Sequence, residues 1–153
     1  MQGNTQLIII TLNVSGMNSP IKWKQIAEWI RNQNPTICCL QETHMRQVDT
    51  YKIKIKGWSN IFWASNVEKK AGVAILISDK DQAKTNLVKR DREGKYILIK
   101  GSINNEEIAI FNMYATNGKA SQFLKEKLVE LKVEIDNKTI LVGELNLPLS
   151  DLD

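Results

Sequence analysis

The chain has 153 residues, 42% hydrophobic and 25% charged, which is the size and balance of one globular domain with a real core and excludes a disordered chain. Its longest apolar run near the start, Leu7 to Ile10 with Leu12, is too short to span a bilayer and follows no basic segment. The expectation is no membrane anchor and no signal peptide, hence an intracellular protein, nuclear and/or cytoplasmic. The net charge of +4 is unevenly spread, for residues 46–100 carry 13 Lys/Arg against 6 Asp/Glu. Such a basic middle suits a polyanionic partner such as nucleic acid, although most lysines only keep a surface wet.

In chain order, "LIIITLNVSG" reads as a buried strand closed by Asn13, Ser15 and Gly16. Ser19-Pro20 then starts a helix, and Trp23, Ile26, Ala27 and Ile30 make its apolar stripe. Asn34-Pro35 ends that helix. "TICCLQE" is a second buried strand, so the opening is β-α-β with parallel neighbours. Cys38 and Cys39 are adjacent and point to opposite faces, which disfavours a disulfide. One histidine in the whole chain excludes a Cys/His zinc site.

The middle reads as antiparallel. "YKIKIKGW" alternates like a half-exposed strand, and "IFWAS", "GVAILIS", "TNLVKR", "KYILIKGSI" and "EIAIFNMYA" follow. "DREGK" and "NNEE" are hairpin connections. "KASQFLKEKLVELKVEI" is a second amphipathic helix, with Ala120, Leu124, Leu128, Leu131 and Ile135 on one side. A buried strand over Thr139 to Val142 closes the chain. The expected architecture is one α/β unit with a mixed sheet and few helices.

Polar groups stand at four strand exits: Asn13, then Gln41 with Glu42, then Tyr114 with Asn117, then Glu144 with Asn146. If the strands neighbour one another, these residues collect along one rim, where α/β proteins place ligands. A carboxylate with carboxamides suits a hard ion such as Mg²⁺, which takes few protein ligands. Each residue also has a plain structural use, Asn in a turn or Tyr as a core aromatic with a wet hydroxyl. Four at successive exits favour a site.

"TLNVSGMNSPIKWKQIAEWI", "CCLQETH", "KKAGVAILIS", "KRDREGKYILIKGSI" and "NMYATN" together resemble the endonuclease domain of LINE-type (long interspersed element) retrotransposons. Those domains belong to the endonuclease/exonuclease/phosphatase superfamily, with the apurinic/apyrimidinic endonucleases as relatives. The resemblance runs along essentially the whole chain. It implies a four-layer α/β sandwich of two packed mixed sheets (DNase I-like), with residues 1–153 as its N-terminal part and the C-terminal part absent. It also implies a Mg²⁺-dependent (or Mn²⁺-dependent) endonuclease that nicks one DNA strand for retrotransposon integration. Glu42 would hold the metal with Asn13 assisting, and Tyr114 would contact the phosphate. Asn146 would bind the oxyanion, and Glu144 would orient the attacking water.

Three departures bear on activity. "GELN" stands where the family has Gly-Asp-Phe-Asn, so Glu144 reaches one methylene further, and Thr116 in "YATN" replaces a proline. The family's late Ser-Asp-His signature does not occur. The resemblance therefore implies a truncated nuclease that is weak or inactive. The alternatives are a non-catalytic nucleic-acid binder using Lys52, Lys54, Lys56, Lys89, Arg90, Arg92 and Lys95, or a non-functional retrotransposon remnant. A further expectation is that the inward strand faces lack cover and favour self-association.

Overall fold

The computed structural model describes residues 6–115, 120–132, 136 and 138–144. Strand β1 (Ile9–Asn13) is followed by helix α1 (Pro20–Gln33) and β2 (Ile37–Gln41). A 3-10 turn (Gln47–Lys52) leads to β3 (Asn60–Ala64) and β4 (Val73–Ile77). Then come β5 (Ala83–Arg90), β6 (Tyr96–Ile103), β7 (Glu106–Tyr114), α2 (Ala120–Glu130) and β8 (Thr139–Glu144).

The strands make two sheets, ordered β1-β2-β4-β3 and β5-β6-β7-β8. Both are mixed: β1 runs parallel to β2 and β7 to β8, and the other neighbours are antiparallel. Side chains alternate across each strand, so one strand feeds two cores. In β2, Ile37 and Cys39 enter the layer between the sheets, whereas Cys38 and Leu40 join α1 on the outer face. In β7, Ile110 faces inward, and Phe111 and Met113 pack outward under α2 with Leu124 and Leu131. The order of layers is α1, sheet, sheet, α2: the four-layer α/β sandwich.

Local chemistry places the elements as read. The Ser19 hydroxyl accepts from Lys22 N at 3.2 Å with Pro20 in the first turn, and Asn34 closes α1 at φ 51°. Asn104 and Asn105 carry the β6–β7 turn at positive φ, a conformation asparagine tolerates.

Four expectations need correction. The stretch 51–58 is not a strand but the end of the 3-10 turn and an unpaired extended segment. Its alternation holds, with Ile53, Ile55 and Trp58 buried and Lys52, Lys54 and Lys56 exposed. An extended chain lying on apolar surface needs the same pattern as a strand, and β3 takes the sheet edge instead. Strand β1 is half-buried, because it is an edge. Strand β8 is also an edge, with Ile140 37% and Leu141 43% exposed. Lastly, the inward faces are not bare: Ile37, Val73 and Ile75 of one sheet meet Ile97, Ile99 and Ile110 of the other. Burying each such side chain contributes roughly 1.5–3 kcal/mol. Ile135 lies outside the described residues.

Candidate active site

β1 and β2 run parallel with Asn13 opposite Gln41, so their exits leave together and place Glu42 beside Asn13. Glu42 and His44 both have left-handed backbones, at φ 54° and 55°, which for residues of this kind costs about 1–2 kcal/mol each. Neighbouring loops hold them there. Gly16 N donates to Glu42 O at 2.7 Å, Met17 N to Thr43 O at 3.0 Å and His44 N to Ala71 O at 2.9 Å.

Each oxygen of the Glu42 carboxylate has a neighbour. Asn13 Nδ2 donates to Oε2, and His44 Nε2 lies 3.6 Å from Oε1. Which way the Asn13 amide points is fixed by an unambiguous donor, since Ser15 N bonds Asn13 Oδ1 at 2.9 Å. The carboxamide oxygen is thus turned to its own loop while its N–H groups face Glu42. In this arrangement Asn13 steers the carboxylate.

Glu42 and His44 line a surface groove of about 630 Å³ together with Tyr114. Tyr114 stands at the exit of β7 and pairs in register with Glu144 on β8. Asn13, Glu42, Tyr114 and the backbone of Glu144 therefore share one rim of the sandwich. The Glu144 side chain, Asn117 and Asn146 lie outside the described residues.

Of the seven basic residues singled out in the sequence, Arg92 and Lys95 line this groove. Lys70, not foreseen, joins them from the loop after β3 and pairs with Glu68 at 2.9 Å. Asn66 ties that loop to the β5–β6 hairpin by donating to Glu93 O at 3.1 Å. Lys52, Lys54 and Lys56 lie away from the groove, in the segment that packs over the α1 core. Lys89 and Arg90 belong to edge strand β5, where Arg90 Nε donates to Trp63 O at 2.9 Å.

Sequence reading also missed a buried carboxamide pair behind the rim. Gln41 Nε2 donates to Asn112 Oδ1 at 2.9 Å, and Asn112 Nδ2 donates to the carbonyls of Leu40 and Ala74 at 3.0 and 2.9 Å. The available signal was a lone Asn inside the apolar run "IAIFNMY".

The donor set can be tested against a divalent ion. Among the described residues no three Asp, Glu, His or Cys side chains converge, which does not suit a tightly enclosed transition metal. One oriented carboxylate at an open groove does fit a hard, largely hydrated ion such as Mg²⁺. No described helix is long and apolar enough to cross a membrane.

The sequence profile of the Endonuclease/Exonuclease/phosphatase family matches residues 10–153. A DNA-(apurinic or apyrimidinic site) endonuclease of Dictyostelium discoideum is 28% identical over 163 residues, covering 97% of this chain and 44% of that protein. The chain thus spans less than half the length of this curated relative. Among solved structures, D. rerio TDP2 complexed with a single-strand DNA product superposes with a TM-score of 0.71 at 15% identity, over 95% of this chain and 63% of that one. AP endonuclease LMAP from Leishmania major gives 0.69 at 18% identity, over 91% and 55%. Likeness at those identities concerns the fold, and it matches the two mixed sheets found here. With the profile running from β1 past β8, this chain belongs to the endonuclease/exonuclease/phosphatase family.

Proposed function

We propose that this chain carries a divalent-metal-dependent phosphodiesterase site that nicks one strand of DNA, of the kind found in LINE-type retrotransposon endonucleases. The observation that carries the reading is the Asn13-steered Glu42 carboxylate lining one groove with Tyr114. Mg²⁺, or Mn²⁺ in its place, held by Glu42 would polarise the scissile phosphate and stabilise the leaving oxygen. Asn13 keeps the carboxylate aimed. The Tyr114 hydroxyl donates to a phosphate oxygen, with Arg92 and Lys95 attracting the flanking backbone. Asn146 donates to the oxyanion as charge builds, and Glu144 orients the attacking water. The extra methylene of Glu144 displaces that group by about 1 Å, which can cost about a hundredfold in rate. That displacement supports weak nicking. Relaxation of supercoiled plasmid in Mg²⁺ tests the reading. Nicking that disappears in Glu42→Ala is expected, and an equally active Glu42→Ala protein would refute it.

A second reading is non-catalytic nucleic-acid binding, as in a remnant of a mobile element. The exposure of Lys52, Lys54 and Lys56 along one extended segment favours it. Binding of this kind weakens steeply with salt and is indifferent to Glu42→Ala. Self-association is proposed through the edges β1 and β8, where Ile8, Ile140 and Leu141 are exposed; a monomer at all concentrations in sedimentation would dismiss it.

A further inference from the structure

We propose that Asn112 and Gln41 are positioning residues that lock the Tyr114 sheet in register against the Glu42 sheet. The inference rests on the phosphodiesterase reading for its catalytic part only.

The groove is assembled from two sheets, with Glu42 following β2 and Tyr114 ending β7. What joins those sheets is mainly aliphatic: isoleucines with Val73, Cys39 and Ala64. Apolar contact is non-directional, so it fixes the separation of the sheets more firmly than their slide over one another. Directional contacts are needed to place one rim against the other.

Asn112 supplies them. Its side chain is fully buried, and so nearly is that of Gln41. The two Asn112 amide hydrogens go to the carbonyls of Leu40 on β2 and Ala74 on β4, residues that stand opposite one another in the first sheet. Its oxygen accepts from Gln41 Nε2, and the same nitrogen donates to Thr11 Oγ1 on β1 at 2.7 Å. One side chain of β7 thereby engages β2 and β4 directly, and β1 through Gln41. The further bonds that join elements of the two sheets, Arg90 to Trp63, Asn66 to Glu93 O and Gly72 N to Gly94 O, lie at the β5–β3 edges and in the loops beside them.

The position within each strand matters as much as the bonds. Gln41 immediately precedes Glu42. Asn112 is two residues before Tyr114, on the same inward face. A slip at the bridge would therefore be felt at both walls of the groove. Replacing a buried hydrogen-bonded pair by apolar groups of similar shape can leave stability nearly unchanged. The use of the pair is then geometric, in specifying one register.

The test uses Asn112→Leu and Gln41→Met, each checked for a cooperative melt. Nuclear magnetic resonance follows two reporters that can be assigned simply: the ring of His44, the one histidine, and fluorotyrosine at Tyr114, one of three tyrosines. Asn112→Leu, made on β7, should displace or split the His44 signal on the other sheet. Gln41→Met, made on β2, should do the same to Tyr114. In nicking assays, kcat should fall by about tenfold to a hundredfold with KM nearly unchanged. Folded variants that leave the far-sheet reporters unmoved would overturn the proposal, as would moved reporters with full kcat in an active protein. If the wild-type chain does not nick DNA, the phosphodiesterase reading has failed, and the resonance data still decide whether the bridge sets the register. Should Asn112→Leu fail to fold, Gln41→Met read at Tyr114 decides alone.

Discussion

Gly143 offers a sharp test of how β8 delivers Glu144 to the rim. The residue has φ 132°, and a Cβ built on it would lie 1.8 Å from Met113 O and 2.8 Å from Met113 C. These are backbone atoms of β7, which no side-chain rotation can remove. Gly143→Ala must push the strands apart by more than an ångström where Met113 pairs with Gly143 and Tyr114 with Glu144. The conformational strain of positive φ contributes about 1–3 kcal/mol, and losing two ladder hydrogen bonds adds about 2 kcal/mol. Gly57→Ala is the control, because Gly57 also has positive φ, 98°, but nothing lies within 4 Å of its Cβ. It should lose the strain alone. For a chain of this size 1 kcal/mol shifts Tm by about 2–4 °C. Gly143→Ala should thus melt about 4–8 °C below Gly57→Ala, followed by near-ultraviolet circular dichroism. Equal melting temperatures would refute the close β7–β8 approach, and with it the placement of Glu144 opposite Tyr114.

Further outcomes follow from the core and its ionisable groups. Burial pushes the Cys38 thiol up to about 12, and burial with the neighbouring Cys38 raises Cys39. The folded thiols stay neutral while the unfolded ones ionise near their ordinary value of 9.0. Stability is therefore unaffected below about pH 9 and is lost as pH rises from there towards 12. At pH 8 a thiol reagent should find neither cysteine until denaturant is added; rapid native labelling would contradict their burial on β2. Phe111 is fully buried with its ring 5.6 Å from that of Tyr96, so Phe111→Ala should cost about 3–5 kcal/mol in urea unfolding. Ser19→Ala removes the cap of α1 and should cost about 1 kcal/mol in the same assay. A neutral Ser19→Ala would mean that Pro20 and packing alone set the start of the helix.

Much of the architecture was legible because it follows from local periodicity. Strand geometry alone put the adjacent Cys38 and Cys39 of "ICCLQ" on opposite faces before any neighbour was known. The Ser-Pro start and Asn-Pro end bounded α1 for reasons contained in a few residues. Strand exits marked Asn13, Glu42 and Tyr114, since a polar residue after an apolar run needs no partner to be noticed.

What the sequence by itself could not determine are relations between residues far apart in the chain. Burial of β1 and β8 depends on whether another strand lies beyond them, and none of the described strands does. Residues 53–58 carry a strand's pattern yet rest on the α1 core, with Trp58 Nε1 donating to Pro35 O at 3.1 Å. The aim of the Glu42 carboxylate depends on an Asn13 amide turned by Ser15, and the groove wall on a loop pegged through Asn66. Gln41 and Asn112 are 71 residues apart, and only the stacking of two sheets makes their carboxamides partners. Hydrophobic pattern chooses faces because burial needs no particular neighbour; hydrogen bonds that aim a site need one, and the tertiary structure alone supplies it.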